Sequence, residues 1–356
     1  MPGPSGGRAA ATAAARIAVA GAGLIGRAHI RRIQDDPGAQ LAAVIDPSPA
    51  ARTLAATLGA PHFDDLAEAL RATRPDGVVI ATPNHLHVPH GLTAVEAGVP
   101  VLLEKPVSDD LASALRLVAA AEAAGVPILV GHHRRHSPLM QRARDAVQSG
   151  SLGRIVAATG LCLFRKPHAY FDGPGAWRRS PGGGLVLINL VHVIDDMRTL
   201  CGDVAAVQAA TSNAVRGFAV EDTAAVLLHF ANGALGTLTA SDAAAAPWSW
   251  EMTSGENPAY PRTDQPCYLI AGTEGSLSVP RLETWRHGGD GWWTPLDATR
   301  AVVPDQDPLT LQMRHFVQVI RREAPPLLDA RGGTRTLAVT LAVLEAARTG
   351  GIVRLD

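Results

Sequence analysis

A glycine-rich stretch near the N-terminus, Gly21-Ala22-Gly23-Leu24-Ile25-Gly26, has the spacing of a loop that binds a pyrophosphate. It follows an apolar run and precedes a helical pattern, so exposed N–H groups at the helix start can bind an anion. The first glycine permits a tight turn, the second lets the backbone approach the pyrophosphate, and the third allows the helix to pack closely on the strand. The stretch therefore predicts a dinucleotide site.

An acidic residue at the end of the next predicted strand bears on which dinucleotide is bound. Asp46 lies 20 residues after Gly26, where a carboxylate can accept hydrogen bonds from a ribose 2′-hydroxyl and would repel a 2′-phosphate. NAD is therefore the expected cofactor. NADP stays open as an alternative, because Ser48 and Arg52 lie close by in the sequence and one carboxylate is an imperfect discriminator.

Three further polar motifs come directly after predicted strands, where an open α/β sheet places its ligand crevice. They are residues 81–87 (ATPNHLH), 104–106 (EKP) and 131–135 (GHHRR). A lysine in a desolvated crevice has a lowered pKa, so it can exchange protons near neutral pH or donate a hydrogen bond to a developing alkoxide. Lys105 is thus the first candidate for a catalytic group.

A second candidate lies on a predicted helix at residues 186–200, which follows three consecutive glycines at 182–184. Asn189, His192 and Asp196 fall at positions i, i+3 and i+7, which share one face of an α-helix, and Asp195 lies within a turn of the histidine. A histidine facing a crevice is a suitable general base, because its ordinary pKa of about 6.5 lies near working pH. His192 is therefore predicted to be the catalytic base.

Together these motifs resemble the Gfo/Idh/MocA family (glucose–fructose oxidoreductase, inositol dehydrogenase and relatives), and the similarity runs from the glycine loop to a closing strand at 352–355. The resemblance implies that Lys105 is an active-site residue beside the nicotinamide. It also implies that Pro106 fixes the turn there and that Glu104 helps to hold the cofactor or the lysine. It adds three residues to the cofactor site, the last two of them near the nicotinamide half: Thr82, Asn84 and His87.

The family pattern on the helix that bears the histidine is Asp-x-Gly-x-His-x-x-Asp, and this chain departs from it. His192 and Asp195 match, but Ile188 stands at the first Asp and Leu190 at the Gly. Asn189 is the nearest polar residue, and an amide cannot carry charge or relay a proton at neutral pH. We therefore expect Asn189 and Asp195 to contact the substrate, and the change indicates a branch of the family with a substrate of its own.

Several aromatic residues lie near these motifs, although aromatics make up only 4% of the chain. Tyr170 and Trp177 precede the glycine cluster, and Trp248 lies in a loop that follows a predicted strand. Because aromatic faces stack on sugar rings, these three residues are candidate substrate contacts. Packing at a subunit interface is an equal alternative for the Trp248 loop, because tryptophan is enriched at such interfaces.

Apolar periodicity predicts the elements that position these residues. In the first part of the chain, short apolar strands alternate with helices. The predicted strands are residues 16–20, 41–45, 77–81, 101–103 and 128–130. The predicted helices are residues 26–35, 50–58, 66–72, 89–97 and 111–124. Such alternation predicts βαβ units and a doubly wound parallel sheet, that is, an N-terminal Rossmann domain in an α/β protein.

After about residue 135 the pattern changes to strands with a single helix, at 186–200, among them. The predicted strands are residues 155–163, 204–210, 223–229, 236–241, 268–271 and 275–279. Asn232-Gly233 between two of them predicts a hairpin turn. Helices at 309–322 and 334–349 close the chain. The pattern is typical of an α+β domain with a large, mainly antiparallel open sheet.

These patterns divide the chain into three parts. We predict a disordered tail at 1–15, an NAD-binding Rossmann domain at 16–135, and a substrate and oligomerisation domain at 136–356. For the C-terminal helix we also consider packing against the first domain. Because an open antiparallel sheet needs a cover for its exposed face, we expect a homodimer or homotetramer through the second domain.

Composition excludes several classes of partner. The 356 residues carry a formal net charge of -1, which argues against nucleic acid or an anionic membrane surface. No apolar run reaches the ~18–20 residues that a membrane span needs. The three cysteines are widely spaced, as expected of buried thiols in a reducing cytoplasm. The histidines near residues 85–90 and 132–136 are joined by no cysteine or carboxylate pattern, so no metal is predicted.

The expected reaction is the reversible oxidation of a secondary alcohol on a sugar, cyclitol or related polyol. His192 would remove the hydroxyl proton, Lys105 would stabilise the alkoxide or relay the proton, and hydride would pass to NAD⁺. Another enzyme on the same scaffold, such as a dihydrodiol dehydrogenase or a reductase of an imine or unsaturated ring, stays open. So does a nicotinamide-binding regulator without turnover, whose hallmark would be the loss of Lys105 or His192.

Overall fold

The computed structural model describes residues 13–289 and 291–355. The predicted tail at 1–15 falls mostly on residues 1–12, which lie outside the described residues. The strands of the first sheet are β1 (Ala15–Ala20), β2 (Ala39–Ile45), β3 (His62–Phe63), β4 (Gly77–Ile80), β5 (Val101–Leu103) and β6 (Ile128–Val130). The helices between them are α1 (Leu24–Asp35), α2 (Pro49–Leu58), α3 (Leu66–Thr73), α4 (His87–Glu96) and α5 (Leu111–Ala124).

The first sheet has the strand order β3-β2-β1-β4-β5-β6. This order is that of a parallel dinucleotide-binding sheet, so the predicted Rossmann fold is confirmed. The order reverses between β1 and β4, and ligands of such sheets bind at the carboxyl ends of the strands at that point. The glycine loop follows β1 and Thr82 follows β4, so both stand at this edge.

The remaining elements begin with a helix. They are α6 (Pro138–Gln148), β7 (Ile155–Leu163), α7 (Val191–Cys201), β8 (Val204–Ser212), β9 (Thr223–Phe230), β10 (Leu235–Ser241), α8 (Trp250–Thr253), β11 (Tyr268–Gly272), β12 (Ser276–Val279), β13 (Glu283–His287), β14 (Leu296–Arg300), α9 (Pro308–Ile320), α10 (Ala330–Thr349) and β15 (Val353–Arg354). The second sheet has nine strands in the order β14-β13-β12-β11-β7-β10-β9-β8-β15. Among the strand pairs that the described residues form in it, β7–β10 is parallel and the others are antiparallel. The predicted large, mainly antiparallel sheet is confirmed.

The structure corrects several element predictions. Helix α6 was not predicted, although Ser137 caps its N-terminus by accepting hydrogen bonds from the N–H groups of Leu139 and Met140. Strands β13 and β14 were not predicted because they lack a buried apolar face; every residue of β14 is exposed. The helix predicted at 186–200 begins with a π-helical turn at Val186–Leu190, and α7 continues from it.

Helix α7 lies against the second sheet because a strand residue leaves room for it. A Cβ added at Gly160 of β7 would lie 3.1 Å from side-chain atoms of both Val193 and Met197 and 2.7 Å from Leu238. The glycine therefore allows the helix to pack directly on the strand. Because α7 carries His192 and the two acids after it, this packing fixes where those side chains stand.

The described part of the chain forms two compact units. The first contains the residues up to Leu103, together with Ala120–Leu129 and Met313–Pro326, and the second contains Glu104–Ala119, Val130–Gln312 and the residues from Leu327. The predicted division at residues 135 and 136 stays a prediction. Cys162, Cys201 and Cys267 are buried free thiols. None of the helices in the described ranges is long and apolar enough to cross a membrane.

Candidate active site

The glycine loop of the first unit contains two glycines that backbone packing demands. Gly21 has a φ of +92°, and a Cβ there would lie 2.4 Å from the carbonyl oxygen of Ala81. A Cβ at Gly26 would lie 1.9 Å from the oxygen of Gly21. At Gly23, by contrast, an added Cβ would meet nothing within 4 Å. Packing does not require that glycine, which leaves space for a ligand beside the loop.

The start of α1 suits a phosphate. Gly23 is its N-cap residue, no side chain caps the helix there, and its first turn carries no acidic residue. The first N–H groups of a helix have no partner within it and attract anions. Leu24 is 85% exposed, and Ile25 is half-buried. The residues present therefore fit the pyrophosphate of a dinucleotide.

Asp46 joins the second strand to the glycine loop. Its carboxylate accepts hydrogen bonds from the backbone N–H groups of Ala22, at 2.8 Å, and Ser48, at 2.9 Å. Burial opposes its charge, but hydrogen bonds from Ser48 and Ala22 outweigh that effect and lower the pKa of Asp46. Each carboxylate oxygen can accept a further bond, so the side chain can still bind a ribose hydroxyl. Arg52 forms an exposed ion pair with Asp64 at 3.4 Å.

The segment after β4 is held together by two histidines. Nε2 of His87 donates to the carbonyl oxygen of Thr82 at 2.8 Å, and the Thr82 hydroxyl lies 3.3 Å from Nδ1 of His90. Asn84 opens a 3₁₀ turn that ends at Leu86 and leads into α4. A hydrogen bond thus joins Thr82 and His87 on either side of this turn, and the cofactor roles predicted for Thr82, Asn84 and His87 stay predictions.

Lys105 begins the segment that follows β5, and its peptide bond to Pro106 is cis. Its Nζ donates to the carbonyl oxygen of Ile188 at 3.1 Å, and its backbone N–H donates to Oε2 of Glu104 at 3.2 Å. Burial lowers the pKa of Lys105 to about 8; Glu104 opposes the shift and Arg134 adds to it. The lysine can therefore exchange protons near neutral pH.

His192 lies in the same cluster as Lys105 and is 8% exposed. The rings of His132 and His133 pack edge-on against it, with centroid distances of 5.8 and 5.4 Å. Among the described residues its buried Nδ1 has no hydrogen-bond partner. Burial, together with the charges of Lys105 and Arg134, lowers the pKa of His192 well below its usual value. The imidazole is therefore neutral at neutral pH.

Asp195 is buried and bound by protein groups. Arg135 donates two hydrogen bonds to its carboxylate, at 2.8 and 2.9 Å, and the hydroxyl of Thr336 in α10 donates a third at 2.8 Å. His132 Nδ1 lies 3.6 Å from the same carboxylate. Burial opposes the charge, but His132 and Arg135 outweigh it and lower the pKa of Asp195 to about 2. The carboxylate thus ties α7 to two other elements.

Asp196 belongs to a second buried network. Its carboxylate accepts hydrogen bonds from Arg134 at 2.9 Å and from the Tyr268 hydroxyl at 2.7 Å. Arg134 also pairs with Glu251 at 2.8 Å. Burial raises the pKa of Asp196 to about 6, despite the opposing charge of Arg134. The network shows that the two acids of α7 bind different arginines of the 131–135 motif.

The sequence analysis missed a buried lysine, Lys166, which is 6% exposed. Its Nζ donates to Oδ1 of Asn189 in the π-helical turn and lies 3.5 Å from a carboxylate oxygen of Asp242. The turn itself is anchored by Glu221, which accepts a hydrogen bond from the N–H of Val186 at 2.8 Å. A lone lysine three residues after a strand is the one signal that could have pointed to it.

The predicted aromatic contacts differ in their surroundings. The ring of Tyr170 lies 4.8 Å from Nζ of Lys166 and 4.0 Å from the guanidinium of Arg178, so the structure brings it to the Asn189 side of the site. Trp177 is 49% exposed and Trp248 is 40% exposed. Their roles as substrate contacts stay predictions.

Two family models match the chain. The model described as the oxidoreductase family with an NAD-binding Rossmann fold matches residues 15–132. The model described as the GFO/IDH/MocA C-terminal domain matches residues 140–278. The two matches lie on the Rossmann strands and on much of the nine-stranded sheet.

Individual relatives extend this similarity. The D-apiose dehydrogenase of Paraburkholderia graminis is 30% identical over 351 residues, which cover 95% of this chain and 89% of that protein. An inositol 2-dehydrogenase of Corynebacterium glutamicum (strain R) is 35% identical over 192 residues, which cover 52% of this chain and 54% of that protein. The WlbA dehydrogenase of Bordetella pertussis, solved with NADH and UDP-GlcNAcA, has a TM-score of 0.80 and 26% identity and covers 96% of this chain and 99% of that chain.

Proposed function

The chain belongs to the Gfo/Idh/MocA family of oxidoreductases, and from this premise we propose that it oxidises a secondary alcohol of a sugar, cyclitol or related polyol with NAD⁺. The family, the enzyme class and the nicotinamide cofactor predicted from the sequence are confirmed by this membership. The observation that carries the proposal is the cluster of Lys105 and His192, whose pKa values burial shifts strongly. Perturbed titratable groups of this kind are typical of functional sites.

Lys105 is the proposed acceptor of the hydroxyl proton. A general base works best when its pKa lies near the working pH, and the pKa of Lys105 is lowered to about 8. When bound, NAD⁺ supplies the hydride acceptor. The carbinol loses its C–H hydrogen as hydride and its O–H proton to Nζ, which leaves a carbonyl compound, NADH and a lysine ammonium. The ammonium then releases the proton to solvent.

His192 takes a different part in the proposed reaction from the one expected. Because its pKa is lowered well below the usual value, its neutral imidazole is a weak proton acceptor. We assign it a hydrogen bond to the reacting hydroxyl, which orients the oxygen towards Lys105. His132 and His133 pack against its ring and restrict its rotation, which supports this role.

The proposed NAD site lies in the first unit. The glycine loop, with Leu24 and Ile25, would bind the pyrophosphate, and Asp46 would bind the ribose. Its negative charge is the reason to prefer NAD to NADP. Thr82, Asn84 and His87 complete the assignment on the nicotinamide side. We assign Glu104 to holding Lys105, because it accepts a hydrogen bond from the lysine's backbone N–H.

The proposed substrate contacts lie in the second unit. Asn189 and Tyr170 are supported by their shared contact with Lys166. Trp177 and Trp248 are supported by their exposure, since an exposed aromatic face is available to a sugar ring. We do not assign Asp195 a direct contact with the substrate, because Arg135 and Thr336 already bind its carboxylate. Its proposed role is to hold α7, which carries His192, in place.

A homodimer or homotetramer through the nine-stranded sheet is the proposed assembly. Val156, Leu235 and Leu269 lie on the adjacent strands β7, β10 and β11 and are exposed. Covering such side chains with a second copy would remove apolar surface from water. Light scattering at micromolar concentration tests this: a dimer or tetramer is expected, and a stable monomer would contradict it.

The proposed reaction is tested by following NADH formation with a panel of sugars, cyclitols, open-chain polyols and aromatic dihydrodiols. We expect turnover with NAD⁺ for at least one member of the first three classes. Turnover with dihydrodiols alone would replace the proposal with a dihydrodiol dehydrogenase. Tight NADH binding without turnover on any compound would instead favour a nicotinamide-binding regulator.

A further inference from the structure

Two buried lysines are held by consecutive residues of the π-helical turn at Val186–Leu190. Nζ of Lys105 donates to the backbone oxygen of Ile188 at 3.1 Å. Nζ of Lys166 donates to the side-chain oxygen of Asn189. The turn thus links the proposed proton acceptor to a second lysine, which the proposed reaction does not use.

The contact with Lys166 decides which way the amide of Asn189 points. An ammonium can only donate hydrogen bonds, so the amide oxygen must face it and the NH₂ group must face the other way. Among the described residues the oxygen has Lys166 as its partner and the NH₂ group has none, so its two donors can bind a ligand. Asn189 presents donors rather than an acceptor.

Lys166 is held firmly in the position that this requires. Its side chain is 6% exposed, its ammonium lies 4.8 Å from the ring centre of Tyr170, and Asp242 lies 3.5 Å away. Asp242 is bound more closely by Arg216, at 2.6 Å. The carboxylate of Asp242 is therefore shared between Lys166 and Arg216.

We propose that Lys166 is a positioning residue that makes Asn189 a hydrogen-bond donor to the substrate, and that the site thereby selects a carboxylate on a polyol. This rests on the proposed function, in which Asn189 contacts the substrate. A carboxylate only accepts hydrogen bonds, so it matches the NH₂ donors. Its charge is also attracted by the buried ammonium of Lys166, an attraction that low-dielectric surroundings strengthen. The substrate class is then a sugar acid, aldonic or uronic, rather than a neutral polyol.

The test uses two probes that differ at one carbon, D-gluconate and D-glucitol, which carry a carboxylate and a hydroxymethyl group at the same end of the same chain. Binding of each to the NADH-loaded enzyme is measured by calorimetry. The wild-type enzyme is expected to bind gluconate at least about 10-fold more tightly, which is the strength of one hydrogen bond to a charged group. Equal or undetectable binding of the two probes would overturn the proposal.

Variants separate positioning from a merely structural role. In Lys166→Met the amide loses its fixed orientation, so the preference for gluconate should fall to within about 3-fold, while Lys166→Arg, which keeps a donor, should retain most of it. In Asn189→Asp the donors are lost and a like charge is added, so glucitol should be preferred. An unchanged preference in Lys166→Met would overturn the proposal, provided that its NADH affinity matches the wild type and shows it folded.

The failure of this inference can be told apart from the failure of the proposed function. Turnover of neutral polyols without any preference for gluconate would support the proposed dehydrogenase and contradict the proposed carboxylate preference. A clear preference for gluconate without NADH formation from any sugar, cyclitol or sugar acid would support the carboxylate preference and contradict the proposed dehydrogenase.

Discussion

The glycine loop of the first unit consists mainly of backbone groups, whereas the lysine–histidine cluster of the second unit depends on buried side chains. Ala22 within the loop contacts two charged side chains: its N–H donates to Asp46, and its carbonyl oxygen accepts a hydrogen bond from Arg27. The cluster consists of buried side chains, and contacts such as Lys105 to Ile188 join residues far apart in the chain. The glycine loop needs positions that carry no side chain. The lysine–histidine cluster needs particular neighbours around the side chains of Lys105 and His192.

The surroundings also have opposite effects on the charged side chains of the two regions. Hydrogen bonds stabilise the anion of Asp46 and lower its pKa. Burial destabilises the cations of Lys105 and His192 and lowers their pKa values. The proposed ribose contact, Asp46, thus keeps its charge, whereas the proposed proton acceptor, Lys105, is made easier to neutralise.

The largest effect is expected in the cluster. Lys105→Met should lower kcat by at least ~10², because the hydroxyl proton loses its acceptor. NADH affinity should change much less than kcat, because the proposed contacts of the glycine loop and Asp46 with the pyrophosphate and ribose stay in place. Steady-state kinetics and NADH fluorescence measure the two quantities separately.

Lys105→Arg is the matched control for that variant. It keeps the positive charge but cannot give up a proton, so it should be as inactive as Lys105→Met. Turnover near the wild-type rate in either variant would remove Lys105 from proton transfer.

The next effect tests whether the glycines of the loop serve packing or ligand binding. Gly26→Ala should lower the free energy of unfolding by about 2 kcal/mol, because its Cβ would lie 1.9 Å from a backbone oxygen. Gly23→Ala meets no protein atom within 4 Å, so it should leave stability unchanged and weaken NADH binding. Thermal denaturation and NADH titration check both. Equal destabilisation by the two substitutions would mean that both glycines serve packing.

The contrast between the regions explains how much could be predicted from the sequence. The Rossmann strands and the glycine loop were predicted because apolar alternation and glycine spacing are local properties. Lys105 became a candidate because of its strand-end motif, which is also a local property. Strands β13 and β14 were missed because their exposed residues carry no apolar pattern.

The surroundings of the cluster could not be predicted in the same way. The i, i+3 spacing of Asn189 and His192 assumed an α-helix, but Asn189 lies in a π-helical turn, which has a different periodicity. Lys166 contacts Asn189 only in the folded protein, because the two residues are distant in the sequence. The same is true of Arg135 and Asp195, which are 60 residues apart. Such contacts leave no periodic trace in a single sequence.

A smaller effect distinguishes the two groups of the cluster. The value of kcat/KM for alcohol oxidation should rise about tenfold per pH unit up to pH about 8 and level off above it, because the neutral amine of Lys105 is the reactive form. His192 should add no inflection near pH 6.5, because its pKa is lowered well below that value. A pH profile of kcat/KM measures this. An inflection near 6.5 without one near 8 would transfer the role of base to His192.

The smallest effect concerns Asp46, the carboxylate beside the glycine loop. Asp46→Asn keeps an oxygen that can accept the bond from Ala22 or Ser48 but removes the charge that repels a 2′-phosphate. The ratio of the Kd for NADPH to that for NADH should therefore fall by a factor on the order of 5–10, as expected for the loss of one charge-assisted interaction. Asp64→Asn is the matched control, because Asp64 lies outside the glycine loop and forms ion pairs with Arg52, at 3.4 Å, and His62, at 3.8 Å, in which Asp64 is exposed and which are worth little. If the two variants changed this ratio equally, negative charge in general, rather than the Asp46 carboxylate, would set the preference for NADH over NADPH. Cofactor choice at the loop would then depend on its surroundings, as the chemistry of the cluster does.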